Sequence, residues 1–263
     1  MRILAVHAHP DDVEFLCAGT LALLAKAGHE VHIATISNGD LGSVDISPEE
    51  LAEIRKGEAR KSASMIGATY TCLDFGDFRI FNDHPTRQKV TELLRKVQPE
   101  IVITASPQDY MSDHENTSSL VRDACFFAPT PHYDTGAEDP APPMRSIPYL
   151  YYTDPIEGKD FFGDPVPVHF IVDISETIDI KEEMLKCHTS QREWLLKHHG
   201  VDEYIESMKR WSAHRGREIG VAYGEAFRQH LGHAYPQDNV LKELLGDRVH
   251  PLGRPDTLRD DVL

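Results

Sequence analysis

His9-Pro10-Asp11-Asp12-Val13-Glu14 stands between two contrasting stretches of the chain. The apolar run before it, Ile3 to His7, predicts a strand. The periodic segment after it, Glu14 to Lys26, predicts a helix closed by Gly28. One imidazole and three carboxylates thus fall where a strand ends and a helix begins, the place at which open α/β sheets bind ligands. Bunched carboxylates repel one another, and a cation is the simplest offset. On this reading His9 and Asp12 ligate a metal ion, while Asp11 points past it to act on a bound water. A helix N-cap, with Asp11 or Asp12 capping and Glu14 in the first turn, accounts for one carboxylate but not for the whole group.

Outward from this point, strand and helix alternate. Val31 to Ser37, Tyr70 to Phe75 and Ile101 to Ala105 predict the next strands. Ser47 as N-cap, Pro48 at the first helical position and Glu50 completing a capping box predict a helix to Ile66, stopped by Gly67. Val90, Leu93, Leu94 and Val97 share one face of a helix from Thr86 to Val97. A loop from Ser106 to Glu115 leads into a helix from Asn116 to Phe127. Such alternation predicts a Rossmann-like, doubly wound α/β fold with a mostly parallel sheet. Right-handed crossovers favour the strand order 3-2-1-4-5. The proline-rich stretch Pro129 to Pro148 reads as an irregular connection, and Tyr149 to Thr153 and His169 to Ile174 as two further strands. Helices follow at Ile178 to Lys197 and Val201 to Glu218, with a short last element at Tyr223 to Gln229. We expect a single domain over 1–235 with a helical C-terminal portion, then a tail over 236–263 that frays from Arg248.

A chain of 263 residues is ample for a sizeable core. Its formal net charge of −16 argues against nucleic-acid or anionic-membrane partners, which select basic patches. The longest apolar runs fall far short of a membrane span. A strand starting at Arg2 or Ile3 leaves no room for a signal peptide. Cys17, Cys72, Cys125 and Cys187 form no Cys-x-x-Cys and read as free thiols in a reducing cytoplasm.

In the order 3-2-1-4-5, strands one and four are neighbours and the switch point lies between them. The loop after strand four contains Asp113-His114, so topology brings His114 toward His9 and Asp12. Two imidazoles, one carboxylate and an open position form the pattern of a catalytic zinc. Zinc lowers the pKa of its water to about 7, and Asp11 is placed to take the proton. His9-Pro10-Asp11 also fits the His-x-Asp of a non-haem iron triad, but those sites usually sit in β-barrels. The first βα turn lacks Gly-x-Gly-x-x-Gly, which argues against a dinucleotide.

Ala8-His9-Pro10-Asp11-Asp12-Val13-Glu14 resembles the Ala-His-Pro-Asp-Asp-x-Glu hallmark of the PIG-L/LmbE-like zinc de-N-acetylases. Those enzymes act on N-acetylglucosamine-containing substrates in glycolipid, mycothiol and bacillithiol synthesis, and on chitobiose. The resemblance runs in order from residue 2 to about residue 230: Asn38-Gly39-Asp40, Ile54-Arg55-x-x-Glu58-Ala59, Asp109 to His114, His188-x-Ser190-Gln191 and Tyr223-Gly224-Glu225-x-Phe227. It implies one zinc, or another divalent ion, on His9, Asp12 and His114, with Asp11 as general base. It also implies contacts from Asp40, Arg55 and Asp77 to sugar hydroxyls. Arg55 reads equally well as a solvated helix residue paired with Glu58, and His188 as a packed helix residue.

One departure matters. The family usually reads His-x-Asp-His, where the first histidine steadies the oxyanion and serves as general acid, and the aspartate orients it. Here Met111-Ser112-Asp113-His114 stands instead, and a thioether carries no proton. Tyr110, His132 and His188 are candidate substitutes, with His188 first. An oxyanion donor is worth about 3 kcal/mol in a well-studied hydrolase. The expected activity is therefore removal of an acyl group from an N-acetylglucosamine-type amino sugar or related small conjugate. Met111 keeps two alternatives open, a metal-binding protein with impaired catalysis and a hydro-lyase. The expected partner is a small-molecule substrate, with no nucleic acid and no membrane insertion. A homo-oligomer is compatible with the sequence.

Overall fold

In the computed structural model, which describes residues 1–199 and 203–252, β1 (Arg2–His7) lies at the centre of a parallel array. Its Ile3 and Ala5 pack into one apolar layer, and its Leu4 and Val6 into the other. Burial on both faces is what a central parallel strand requires. β2 (Glu30–Ser37) and β4 (Ile101–Thr104) flank it, with β3 (Thr69–Phe75) and β5 (Tyr149–Thr153) outside them. The order β3-β2-β1-β4-β5 is the expected doubly wound core.

The sheet then continues antiparallel. β7 (Gly224–Gln229) pairs with β5 and with β6 (Phe170–Asp173), and β8 (Val249–Pro251) adds to β6. The segment expected as a tail therefore supplies an edge strand and a helix, α9 (Val240–Leu245), whose Val240, Leu241 and Leu245 join the core of β1. Elements this short carry too few periods for an apolar pattern to register. Residues 253–263 of the expected tail lie outside the described residues.

Helices cover both faces. α1 (Asp12–Leu16), α2 (Ala18–Lys26), α6 (Ile178–Lys186) and α8 (Tyr204–Glu218) pack on one side. α4 (His84–Val97) and α5 (Ser112–Phe127) pack on the other. α3 (Pro48–Ser64) starts as expected, with Ser47 accepting from the Glu50 amide. No helix among the described residues is long and apolar enough to cross a membrane.

Three helices depart most from the expected boundaries, two of them for a polar reason. The first is broken at Cys17, which frees the Gly19 and Thr20 amides to donate to Glu225 at 2.9 and 2.7 Å. Glu225 also pairs with buried Lys181 at 2.6 Å. Gly19 belongs to this junction, because a Cβ there would come within 2.9 Å of Ile174 and 3.0 Å of Glu225. The segment expected as one helix over 178–197 divides at Cys187-His188 into α6 and α7 (Thr189–His199), since Glu58 takes the Ser190 amide at 2.9 Å. α5 begins at Ser112 rather than Asn116, so Asp113 and His114 sit in its first turn rather than in a loop.

Candidate active site

The loops after β1, β2, β3 and β4 converge at the carboxyl end of the parallel strands. Asp11, between β1 and α1, has φ 109° and ψ −24°, a left-handed conformation uncommon for a residue with a Cβ. Such strain persists where the surroundings over-determine it. Its side chain makes no capping bond, so the N-cap alternative does not account for it. Instead Asp11 accepts a hydrogen bond from the Tyr204 hydroxyl, and Asp12 accepts from the His9 amide at 2.8 Å.

The two histidines are held by carboxylates. His9 Nε2 stands 3.1 Å from Asp113 Oδ2, and His114 Nδ1 stands 2.9 Å from Asp109 Oδ1. An ionised carboxylate only accepts, so these nitrogens carry hydrogens, and the opposite nitrogens are the ones that can ligate a metal ion in place of a proton. Those opposite atoms, His9 Nδ1 and His114 Nε2, face Asp12 at 3.4 and 3.5 Å. One ligand atom from each of His9, Asp12 and His114 lies within 4.8 Å of the others. Two imidazoles, each backed by a carboxylate, and one shared carboxylate fit a divalent ion.

The charges show the same demand for a cation. Burial disfavours charge on His9, yet hydrogen bonds to Asp113 and Asp12 outweigh it and raise the imidazole to about 10. Burial, reinforced by the Asp12 charge, pushes Asp11 up to about 6 against the Tyr204 hydrogen bond. His7, beneath the loop, is lowered by burial to about 4 and so stays neutral.

A cavity of about 850 Å³ opens over this floor. His9, Asp11, Asp12, Asp77 and His114 line its polar part. Leu41, Phe78, Tyr110 and Met111 line it from the loops, and Gln191, Trp194, Leu195, Tyr204 and Ser207 from α7 and α8. Among the described lining residues there is no lysine or arginine.

The expected substrate contacts divide. Asp77 lines the cavity, but its carboxylate already accepts from the Ser37 hydroxyl and, at 3.1 Å, from the Leu41 amide. Asp40 does not line the cavity; it accepts from the Asp77 amide at 2.9 Å and ties two loops together. Arg55 is buried away from the cavity and donates to Gln191. His188, expected first as the substitute acid, is buried behind the cavity with Nε2 3.1 Å from Glu14 Oε1. Burial opposes its charge and Glu14 raises its pKa. His132 is exposed and does not line the cavity. Tyr110 does line it, with its ring edge-on to His114 at 5.5 Å. Burial and then the Asp12 charge push its phenol above the ordinary range.

These contacts explain the helical motifs. Glu58 accepts from both the Ser190 amide and hydroxyl, at 2.9 and 2.7 Å, while Arg55 holds Gln191 and Glu14 holds His188. Arg-x-x-Glu and His-x-Ser-Gln are therefore partners that dock α7 on α3. Sequence reasoning missed Asp109 and Tyr204. Asp109, five residues before His114, was open to inspection; Tyr204 meets Asp11 across 193 residues, with no local pattern to announce it.

The chain is similar to known proteins along most of its length. A model of the GlcNAc-PI de-N-acetylase family, PIG-L, matches residues 4–125. Diacetylchitobiose deacetylase of Thermococcus kodakarensis is 29% identical over 198 residues, covering 72% of this chain and 70% of that one. The 4-oxalmesaconate hydratase of Pseudomonas putida is 26% identical over 196 residues, covering 72% and 73%. The structure of N,N'-diacetylchitobiose deacetylase from Pyrococcus horikoshii superimposes with a TM-score of 0.73 at 27% identity, covering 89% of this chain and 86% of that one. Hallmark motif, strand order and these matches agree: the chain is similar to the PIG-L/LmbE-like de-N-acetylases.

Proposed function

We propose that this protein is a zinc-dependent de-N-acetylase of an N-acylated amino sugar or related small conjugate. His9, Asp12 and His114 hold the ion, and Asp11 is the general base. The observation that carries this reading is the cavity floor, where a two-imidazole, one-carboxylate donor set adjoins a separately held carboxylate, Asp11. The ion, when bound, supplies Lewis acidity that brings the pKa of water toward about 7 and polarises an acyl oxygen.

The protein's own residues do the rest. Asp11 takes the proton from the attacking water and returns it to the departing amine nitrogen. Tyr204 orients Asp11 through its hydroxyl. Asp113 and Asp109 fix the tautomers of His9 and His114 as positioning residues. Asp77, 4.0 Å from His9 Nε2, holds the β2 loop against this group.

Wall charge separates this reading from the hydratase reading. The hydratase relative is named for a carboxylate substrate. Asp11, Asp12, Asp77 and Glu203 line this cavity, with no lysine or arginine among the described lining residues to meet such a group. An uncharged N-acyl amine carries no such demand. The test is acetate release from a panel of N-acetylated amino sugars by the zinc-loaded protein. Release at a rate proportional to zinc content supports the reading; none from any member, with water addition to unsaturated carboxylates instead, overturns it.

A further inference from the structure

Met111 leaves a specific gap. It lines the cavity beside His114 at the place where the family carries a hydrogen-bond donor, and its thioether has no proton to donate. Of the candidate substitutes, His132 is exposed outside the cavity and His188 is buried behind it on Glu14. Tyr204 reaches the cavity, but its hydroxyl is committed to Asp11. Gln191 and Ser207 stand on α7 and α8, apart from the first turn of α5 that carries His114.

Tyr110 remains. It lines the cavity, its ring meets His114 edge-on at 5.5 Å, and its hydroxyl has no hydrogen-bond partner among the described residues. The amide of its neighbour Met111 donates a hydrogen bond to Asp109 at 3.1 Å, and Asp109 also holds His114. One carboxylate thus sets both the histidine and the backbone that presents the phenol.

We propose that the Tyr110 hydroxyl is the oxyanion donor of this enzyme, in place of the imidazole that Met111 replaces. The proposal rests on the deacetylase reading above. As the water oxygen bonds to the acyl carbon, its proton goes to Asp11 and the C=O π pair moves onto the acyl oxygen. Tyr110 donates a hydrogen bond to that oxygen without giving up its proton. On collapse the pair re-forms C=O, the C–N bond breaks, and the amine nitrogen takes the proton from Asp11. The balance closes with acetic acid and amine; Asp11 supplies the proton, so of the two functions lost at position 111 the oxyanion donor is the one left to fill.

The test is Tyr110→Phe, a substitution at a side chain 57% exposed that removes one oxygen. On one accepted N-acetyl substrate, kcat falls about 10²-fold, the scale of a single oxyanion-hole donor, with KM nearly unchanged. Calorimetry with a methylphosphonamidate analogue of that substrate shows a comparable loss of affinity, while zinc content and binding of the amine product stay at wild-type values. Met111→His in the Tyr110→Phe background restores at least tenfold of the lost kcat. Wild-type kcat in Tyr110→Phe overturns the proposal, as does an equal weakening of product and analogue, which marks a packing role. If the wild type releases no acetate at all, the deacetylase reading falls and takes this proposal with it.

Discussion

Replacing Asp109 by asparagine removes a charge from behind His114 while keeping a side chain of the same shape. Asp109 Oδ1 accepts from His114 Nδ1 at 2.9 Å and from the Met111 amide at 3.1 Å. The asparagine oxygen can keep both hydrogen bonds, so what is lost is the charge that makes the imidazole a better ligand. Alanine loses the hydrogen bonds too, and the ring is then free to carry its proton on Nε2, the nitrogen that faces Asp12 at 3.5 Å. Loss of such a partner costs about 10–100-fold in metal affinity. We expect about tenfold for Asp109→Asn, or ~1.4 kcal/mol, and about a hundredfold for Asp109→Ala, or ~2.7 kcal/mol. Competition against a chromophoric zinc chelator at fixed pH measures the affinity, and melting of the metal-free proteins separates it from a folding defect. Zinc binding by Asp109→Ala within twofold of wild type, in a folded protein, would show that Asp109 does not support His114.

Asp11→Asn is expected to keep its zinc and lose turnover by about 10² or more, the range of a removed general base; loss of metal from the variant would transfer Asp11 to the ligand set. Lys181→Met leaves Glu225 as a buried carboxylate held only by two amides, and unfolding in urea should show a loss of about 3–5 kcal/mol. Adding Glu225→Gln should recover much of that loss, and an unchanged midpoint in the single variant would refute the account. Glu58→Ala removes the acceptor of the Ser190 amide and hydroxyl. It should cost roughly 1.5–3 kcal/mol and raise KM through a displaced α7; full stability with unaltered KM would count against the docking role.

Strand order was legible because it follows from alternation and handedness, both written in apolar periodicity over ten or more residues. The neighbourhood of His9, Asp12 and His114 followed from that order, since adjacent parallel strands end side by side. The roles of Asp40, Arg55 and His188 were not legible. Each is a polar residue in a motif, and sequence alone does not say whether such a residue faces a ligand or another motif. Arg55 faces Gln191 and His188 faces Glu14, pairings made across more than a hundred residues. The same holds for Tyr204 on Asp11 and for Glu225 on the break at Cys17. Turn chemistry announces itself locally; a carboxylate that reaches a distant amide does not.

The three cross-links to the start of α7 divide labour within the protein. They all fall on residues 188, 190 and 191, so the helix is moored at its first turn, while Trp194 and Leu195 one turn later face the ligand space. Substitutions at 194, 195 and 207 can redraw the shape of that space while the moorings and the His-Asp-His floor stay in place. Inheritance can thus vary what enters without renegotiating what reacts. Solved structures named for a deacetylase and for a hydratase share this fold, as such a separation allows.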